Sequence, residues 1–210
     1  MSPIHSGLPD KRALPASIRP LRTDPLAELD ARRSVPFMQL ETPGPDQATL
    51  LRLLRSAVRV PDHGKRVPFR FVALRGDARR TFGERLAARH REIEPEASDA
   101  VLDKDRDRYL HAPLIVVVVA RLDPDPKIPE RERLVTAGCT CFALLQAAQA
   151  VGFRGCWLTG WAAYDREVAR MLGLAEDEHV VGFVHLGTPK IDVPERERPD
   201  PADLISEWSP

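Results

Sequence analysis

The chain has 210 residues, of which 43% are hydrophobic, so it is long enough for one domain with a buried core and short for two. Its 31 basic side chains equal its 31 acidic side chains, and this balance favours neither nucleic acid nor an anionic membrane as a partner. The apolar runs are too short or too polar for a membrane span, and residues 1–22 lack the apolar centre of a signal peptide; we therefore expect a cytoplasmic protein.

Composition divides the chain into three parts. Residues 1–25 contain five prolines and no apolar period, and they are expected to form an extended or disordered arm. Residues 26–190 alternate apolar helical patterns with apolar strands and are predicted to form one folded domain. Residues 191–210 are polar and rich in proline, which predicts a second arm at the C-terminal end.

In the first half of the domain, the predicted elements are a helix over 25–34, a helix over 46–58, a loop over 60–68, a strand over 69–75 and a helix over 78–92. Asp46 and Asp77 precede the second and third helices and are expected to cap them. Residues 94–110 are highly charged and are expected to be a mobile, partly helical excursion.

In the second half, the predicted elements are a strand over 114–120, a helix over 136–151, a strand over 155–158, a helix over 165–173 and a strand over 180–187. The first strand is an unbroken run of mostly β-branched residues, which is typical of a strand buried on both faces. The long helix is apolar nearly all round and is expected to lie in the middle of the molecule, with Gly152 ending it. The elements do not form regular βαβ units, so we predict an α+β fold with an antiparallel or mixed sheet flanked by helices.

The cysteine content predicts no disulfide framework. Cys139, Cys141 and Cys156 are an odd, sparse set that lies in the most apolar part of the chain. We therefore expect buried thiols in a reducing compartment.

Three short motifs could carry chemistry, and each also has an ordinary structural reading. Arg32-Arg33-Ser34 could clamp a phosphate, because guanidinium groups bind phosphate in a bidentate manner, or it could be a solvated basic pair. Arg59-Val-Pro-Asp-His63 offers a stiffened loop with a histidine, which could equally be plain surface. Gly155-Cys-Trp-Leu-Thr-Gly160 could meet a planar polar ring at a strand end, or be a strand-to-turn transition with a core tryptophan.

The order of these motifs along the chain is more specific than any one of them. With the valine-rich strand, the apolar helix that ends in G-F and the terminal V-G-F-x-x-L-G-T-P, the sequence over about residues 26–190 resembles the nitroreductase family, and most closely its compact single-domain bacterial branch. The resemblance implies an intertwined homodimer with one FMN at each of two interface sites. It also implies a ping-pong hydride relay from NAD(P)H through flavin N5 to a nitroaromatic, a quinone or a similar small flat acceptor, with no catalytic side chain.

The same resemblance implies roles for particular residues. Arg32, Arg33 and Ser34 match the segment that holds the FMN phosphate and ribityl chain, and Arg59 and His63 match a loop that reaches the flavin bound mainly by the other subunit. Trp157, Leu158 and Thr159 match the segment along the isoalloxazine ring. The helix end implied to contact the nicotinamide cofactor comprises Ala147, Ala148, Gln149, Ala150, Val151 and Gly152.

Two other functions remain open from the sequence. A non-catalytic flavin-binding module for storage or sensing would keep the same motifs without turnover. A metal-dependent hydrolase built on His63, His185 and the cysteines is the weakest alternative, since Cys139 and Cys141 point to different sides of a helix and no zinc-type spacing is present.

Overall fold

A five-stranded antiparallel sheet runs through the part of the chain described by the computed structural model, residues 25–210. Its strands are β1 (Leu40–Glu41), β2 (Phe69–Arg75), β3 (Leu114–Arg121), β4 (Arg154–Leu158) and β5 (Glu178–Pro189). β5 lies in the middle: β3 pairs with one edge of it, and β2 pairs with the far side of β3. β4 and then β1 pair with successive parts of the other edge of β5. This arrangement confirms the predicted α+β fold class.

Six helices pack around this sheet within the described residues. They are α1 (Pro25–Asp30), α2 (Gln47–Ala57), α3 (Asp77–Ile93), α4 (Asp99–Asp107), α5 (Glu130–Ala150) and α6 (Arg166–Met171). Short 3-10 turns cover Phe37–Gln39, His63–Lys65, Trp161–Ala163 and Pro201–Asp203. No helix among residues 25–210 has the length and apolar character needed to cross a membrane.

The centre of the core is β3, as its sequence predicts. Residues 114–120 are fully buried, and successive side chains point to opposite faces of the sheet. Leu114, Val116 and Val118 pack with residues of α2 and α5 on one face. The alternate residues of β3 pack on the other face with side chains from α3, α6 and the 161–163 turn. The sheet is therefore covered by helices on both sides, with α5 and α3 on opposite faces.

Helix α5 is buried on one side only. Its inner side contacts β3, β4, β5 and α2, but Val135 and Phe142 are 59% and 49% exposed, and Cys139 between them is exposed as well. The expectation that this helix is enclosed on all sides is therefore wrong for this stripe within a single chain, and so is the expectation of three buried thiols. The helix also begins earlier than predicted, at Glu130, because Glu130 and Glu132 in its first turn suit the positive end of the helix dipole.

Several local predictions are confirmed and others need correction. Asp46 accepts a hydrogen bond from the Thr49 amide at 2.7 Å, so it caps α2 as expected. Asp77 does not cap α3; it is the first helical residue, and Gly76 precedes it with φ at 51°. Residues 94–110 are partly helical as predicted, since they contain α4, but they pack as part of the fold, because α4 and the residues after it bury Leu102 and Tyr109 in the core.

The two arms differ in what can be said of them. The predicted N-terminal arm, apart from Pro25 where α1 begins, lies outside the described residues. In the C-terminal arm, most residues after Lys190 are exposed. Val193 is the exception: it packs against a small cluster formed by Val35, Leu40 and Ala112. This contact brings the start of the C-terminal arm next to the segment that follows α1.

Candidate functional site

The Arg32-Arg33-Ser34 motif lies beside β4. Helix α1 ends at Asp30 rather than at Ser34, so the motif is extended chain and not a helix end. Ser34 forms a parallel bridge with Gly155, and the Val35 amide donates to the Gly155 carbonyl at 3.1 Å. Arg32 donates to the Ser34 hydroxyl at 3.2 Å. The first and third motifs of the sequence are therefore neighbours in space.

The C-terminal arm adds charges next to the arginine pair. Glu195 forms an ion pair with Arg33, and Arg198 contacts the same carboxylate at 3.1 Å. The pKa of Arg32 is lowered, first by burial and then by nearby positive charges; those charges belong to Arg198, Arg196 and Arg33. Two guanidinium groups, those of Arg33 and Arg198, thus contact one carboxylate, and Arg32 and Arg196 add positive charge nearby. This cluster has the charge and the donors to bind a phosphate.

Sequence reasoning missed the two arginines of the arm. Arg196 and Arg198 stand in a polar, proline-rich segment, where basic residues are ordinarily solvated. Only the packing of Val193 beside Val35 brings them to the arginine pair. The sequence does show an alternating Glu-Arg-Glu-Arg pattern over residues 195–198, but this pattern does not indicate which residues of the domain the arm contacts.

Trp157 covers a small patch of the sheet near α5. Its indole nitrogen donates to the Val181 carbonyl at 3.3 Å, and the ring lies so close to Gly182 that an added Cβ there would collide with it. The side chain is still 39% exposed. Leu158 and Thr159, which follow at the end of β4, are half-buried. This strand end therefore presents a flat aromatic surface and polar backbone groups to the outside.

The end of α5 lies against α1. Gln149 donates a side-chain hydrogen bond of 2.6 Å to the Glu28 carbonyl, and both Ala148 and Gln149 are buried. Gly152 has φ at 93° and ends the helix as expected. Of the six residues predicted to contact the nicotinamide cofactor, only Ala150 and Gly152 are exposed. Gln149 thus has a structural role, and the nicotinamide contact stays a prediction.

The loop with Arg59 and His63 lies at the other end of α5. The Thr136 hydroxyl donates to the Pro61 carbonyl at 3.1 Å, and His63 Nδ1 is 2.6 Å from the Glu132 carboxylate. Asp62 accepts from the amides of Arg66 and Val67 at 3.0 and 2.8 Å, which holds the loop in shape. Lys65 and Val67 have φ of 52° and 49°, a costly conformation that clusters at functional sites.

The long helix separates this loop from the arginine pair. Thr136 contacts the loop and Gln149 contacts α1, and these two residues are 13 positions apart on α5. At about 1.5 Å of rise per residue, the two contacts are about 20 Å apart along the helix axis. Within one chain, the structure brings together the arginine pair, β4 and the end of α5, but not Arg59 and His63.

The cysteines and His185 give no support for nucleophilic or metal chemistry. Burial raises the pKa of both Cys141 and Cys156 to about 12, so these thiols are not ionised near neutral pH. Burial lowers the pKa of His185 to about 3, so its ring is neutral. Among residues 25–210, no group of three or more His, Cys, Asp or Glu side chains could hold a metal ion. The hydrolase alternative therefore has no assembled site in this part of the chain.

Comparison with known proteins gives consistent matches. A family model described as "Nitroreductase family" matches residues 29–188. A relative in Escherichia coli (strain K12), named "Putative NAD(P)H nitroreductase YdjA", is 34% identical over 184 residues, which are 87% of this chain and 98% of the relative.

Solved structures share the fold. A nitroreductase-like family protein from Bacillus cereus has a TM-score of 0.75 at 20% identity, with 90% of this chain and 98% of that one covered. A nitroreductase with bound FMN from Bacteroides fragilis NCTC 9343 has a TM-score of 0.65 at 22% identity, with coverage of 88% and 98%. At these identities the structural matches establish a common architecture.

Proposed function

The chain belongs to the nitroreductase family, and from that premise we propose that it is an FMN-dependent NAD(P)H oxidoreductase. It reduces nitroaromatic compounds, quinones or similar flat acceptors by a ping-pong relay. The named Escherichia coli relative supports the nicotinamide donor, and the Bacteroides fragilis structure with bound FMN supports the cofactor. When bound, FMN supplies the hydride chemistry, so the chain's own residues have to bind, orient and shield it.

The observation that carries the proposal is the pairing of Ser34 with Gly155, which joins the arginine motif to β4. An elongated ligand with a phosphate at one end and a flat ring at the other fits such a surface. Arg32 and Arg33 would hold the phosphate, because their guanidinium groups keep their charge and bind phosphate oxygens in pairs. The end of β4 would lie along the ring, with Trp157 and Thr159 next to it.

The charge of the arm fits the same ligand. Burial first, and then the positive charges of Arg198, Arg196 and Arg33, lower the pKa of Arg32, and a doubly charged phosphate would relieve the repulsion among these charges. Glu195 is the carboxylate that holds Arg33 in the described chain. We infer that the phosphate replaces this carboxylate as the partner of Arg33.

A second copy of the chain would complete each site. The loop that contains Arg59 and His63 contacts α5 at Thr136, which is about 20 Å along the helix axis from Gln149 beside α1. We infer that this loop does not reach the arginine pair of the same chain. The exposed apolar stripe of α5, with Val135, Cys139 and Phe142, is the surface that a second copy would cover. Apolar interfaces of this kind resemble a domain core cut in half and are typical of obligate homodimers.

The proposal is tested by the absorbance spectrum of the purified protein before and after anaerobic addition of NADPH. We expect a yellow protein, or a colourless one that becomes yellow with added FMN, and bleaching of the flavin band by the nicotinamide. Consumption of NADPH with a nitroaromatic acceptor should follow. A protein that binds no FMN would refute the proposal. Bound flavin that NADPH does not reduce would favour the storage or sensor module instead.

A further inference from the structure

The turn that follows β4 is held from two sides by α3 and α4. The Trp161 indole nitrogen donates to both carboxylate oxygens of Asp105 at 3.2 Å. At the other end of the turn, Arg89 contacts the Asp165 carboxylate at 3.0 Å. Arg89 and His90 are consecutive on α3, and His90 Nδ1 forms a hydrogen bond with the same Asp105 carboxylate. One turn of α3 therefore holds Asp165 directly and Trp161 through Asp105.

The centre of this network is a buried charge. Asp105 is only 7% exposed, although it belongs to α4 in the highly charged segment of residues 94–110. The His90 ring lies against the Trp161 ring, with centroids 5.0 Å apart and planes tilted by 57°, and its second ring nitrogen lies 3.3 Å from Glu94. Burying a carboxylate costs free energy unless it is well paired, and an apolar residue would fill the same space at lower cost. The position of this charge therefore suggests a role beyond filling the core.

The side chain of Arg108 also lies close to this turn. Gly160 has φ at +79°, and a Cβ added there would lie 3.0 Å from a guanidinium nitrogen of Arg108. Arg108 follows directly after α4, so the end of α4 brings this side chain beside Gly160, while Asp105 accepts from Trp161. The peptide between Thr159 and Gly160 therefore lies between the end of β4 and Trp161, whose indole is anchored by Asp105.

We propose that Asp105 and His90 are positioning residues for the end of β4: through Trp161 they fix the backbone of Thr159 and Gly160 against the FMN ring. This inference rests on the proposed function, because it assigns the ring to the end of β4. Trp161 is two residues beyond Thr159, so a shift of its indole is passed to that peptide with little chain in between. Residues that support a binding group in this way contribute to affinity through geometry and without touching the ligand.

Protonation of His90 gives the network a pH dependence. The hydrogen bond with Asp105 is the largest cause that raises the pKa of His90, and Glu94 adds to it. Other charged groups around this part of α3 include Arg89, which pairs with both Asp165 and Glu92, and Arg108 beside Gly160. Stabilisation by the charged ring is complete below the ordinary histidine value of about 6.5 and is lost as the pH rises through the raised value. FMN affinity should follow the same direction.

The test measures FMN binding to the apoprotein by quenching of flavin fluorescence, between about pH 6 and pH 9, the range that spans histidine titration. Trp161→Phe keeps the ring and removes the donor, and we expect about tenfold weaker binding and a shifted flavin absorbance band. Asp105→Asn keeps an acceptor for the indole and removes the charge that faces His90. We expect it to bind FMN at low pH as weakly as the wild type does at high pH, with a flat pH profile.

The matched control is Asp103→Asn, which removes an exposed carboxylate from the same helix; it should leave the affinity and its pH profile unchanged. Thermal unfolding of each apoprotein separates stability from positioning. If Asp105→Asn and Trp161→Phe bind FMN with the wild-type affinity and pH profile, the inference is wrong, whatever their stability. If Trp161→Phe does not fold, Asp105→Asn alone decides. A wild-type protein that binds no FMN would instead refute the proposed function.

Discussion

Under the proposed function the protein is a homodimer, and Phe142→Asp should convert it into a monomer. Phe142 lies on the exposed apolar stripe of α5, with 49% of its surface open to solvent in a single chain. A second copy that covers this stripe would bury the remainder, and an aspartate there would instead bury an unpaired charge. The change is on the surface of the single chain, so its fold should be retained.

The expected size follows from the exposed area. A phenylalanine side chain buries roughly 200 Å², so about half of it, or about 100 Å², would be covered in the dimer. At about 25 cal/mol per Å², this is about 2.5 kcal/mol for each copy and about 5 kcal/mol for two copies related by a twofold axis. The dimer dissociation constant should therefore rise by roughly three to four orders of magnitude.

Sedimentation equilibrium over a wide range of concentrations measures this constant. The matched control is Ile93→Asp at the end of α3, which is 51% exposed but lies on the opposite face of the sheet and should leave the dimer intact. Cys139, three positions from Phe142, should react with a thiol reagent faster in Phe142→Asp than in the wild type. An unchanged dissociation constant, or equal effects of both variants, would show that this stripe is not the interface.

Three further predictions concern the site and the sheet. Arg32→Ala should weaken FMN binding about 10- to 100-fold, measured by fluorescence quenching, because the charged hydrogen bond to phosphate that the proposed function assigns to Arg32 would be lost. Glu178→Gln should lower the free energy of unfolding by about 2–3 kcal/mol near neutral pH, because Arg70 contacts both carboxylate oxygens at 2.6 Å. The contact with Arg70 is the main cause that lowers the pKa of Glu178 to about 2. The stabilisation is therefore present above the ordinary carboxyl value of about 4.3 and is lost as the pH falls towards 2. The acid unfolding curves of the variant and the wild type, followed by circular dichroism, should converge near that pH. Gly182→Ala should displace the Trp157 indole and lower stability by about 1–3 kcal/mol, with a change in tryptophan fluorescence; an unchanged spectrum would contradict the close packing.

The sheet and the motif order could be predicted from the sequence because they depend on local pattern. Residues 114–120 carry their burial in their composition, and the bounds predicted for β2, 69–75, are those observed. Here the chemistry of each segment is sufficient, since the apolar period alone decides which face is buried.

The rest depends on contacts between distant residues. Asp105 looks like a surface charge in a charged segment, and only Trp161, 56 positions later, makes it a buried acceptor. Arg198 gains its role from the way the arm folds back to Arg33 through Glu195. The apolar pattern of α5 predicts burial on all sides, but Cys139 and Phe142 are exposed in the single chain. Under the proposed function, a second copy of the chain would bury them.

The separation along α5 between the loop contact at Thr136 and the α1 contact at Gln149 predicts how a mixture of two inactive variants should behave. If each flavin takes its phosphate anchor from one copy and its loop from the other, a hybrid of an Arg32→Ala chain with a His63→Ala chain holds one doubly damaged site and one in which every contributing residue is native. One of the two FMN sites would then bind normally in a mixed dimer in which neither subunit is wild type. Such complementation is a property of shared sites and could not occur if each chain closed around its own flavin.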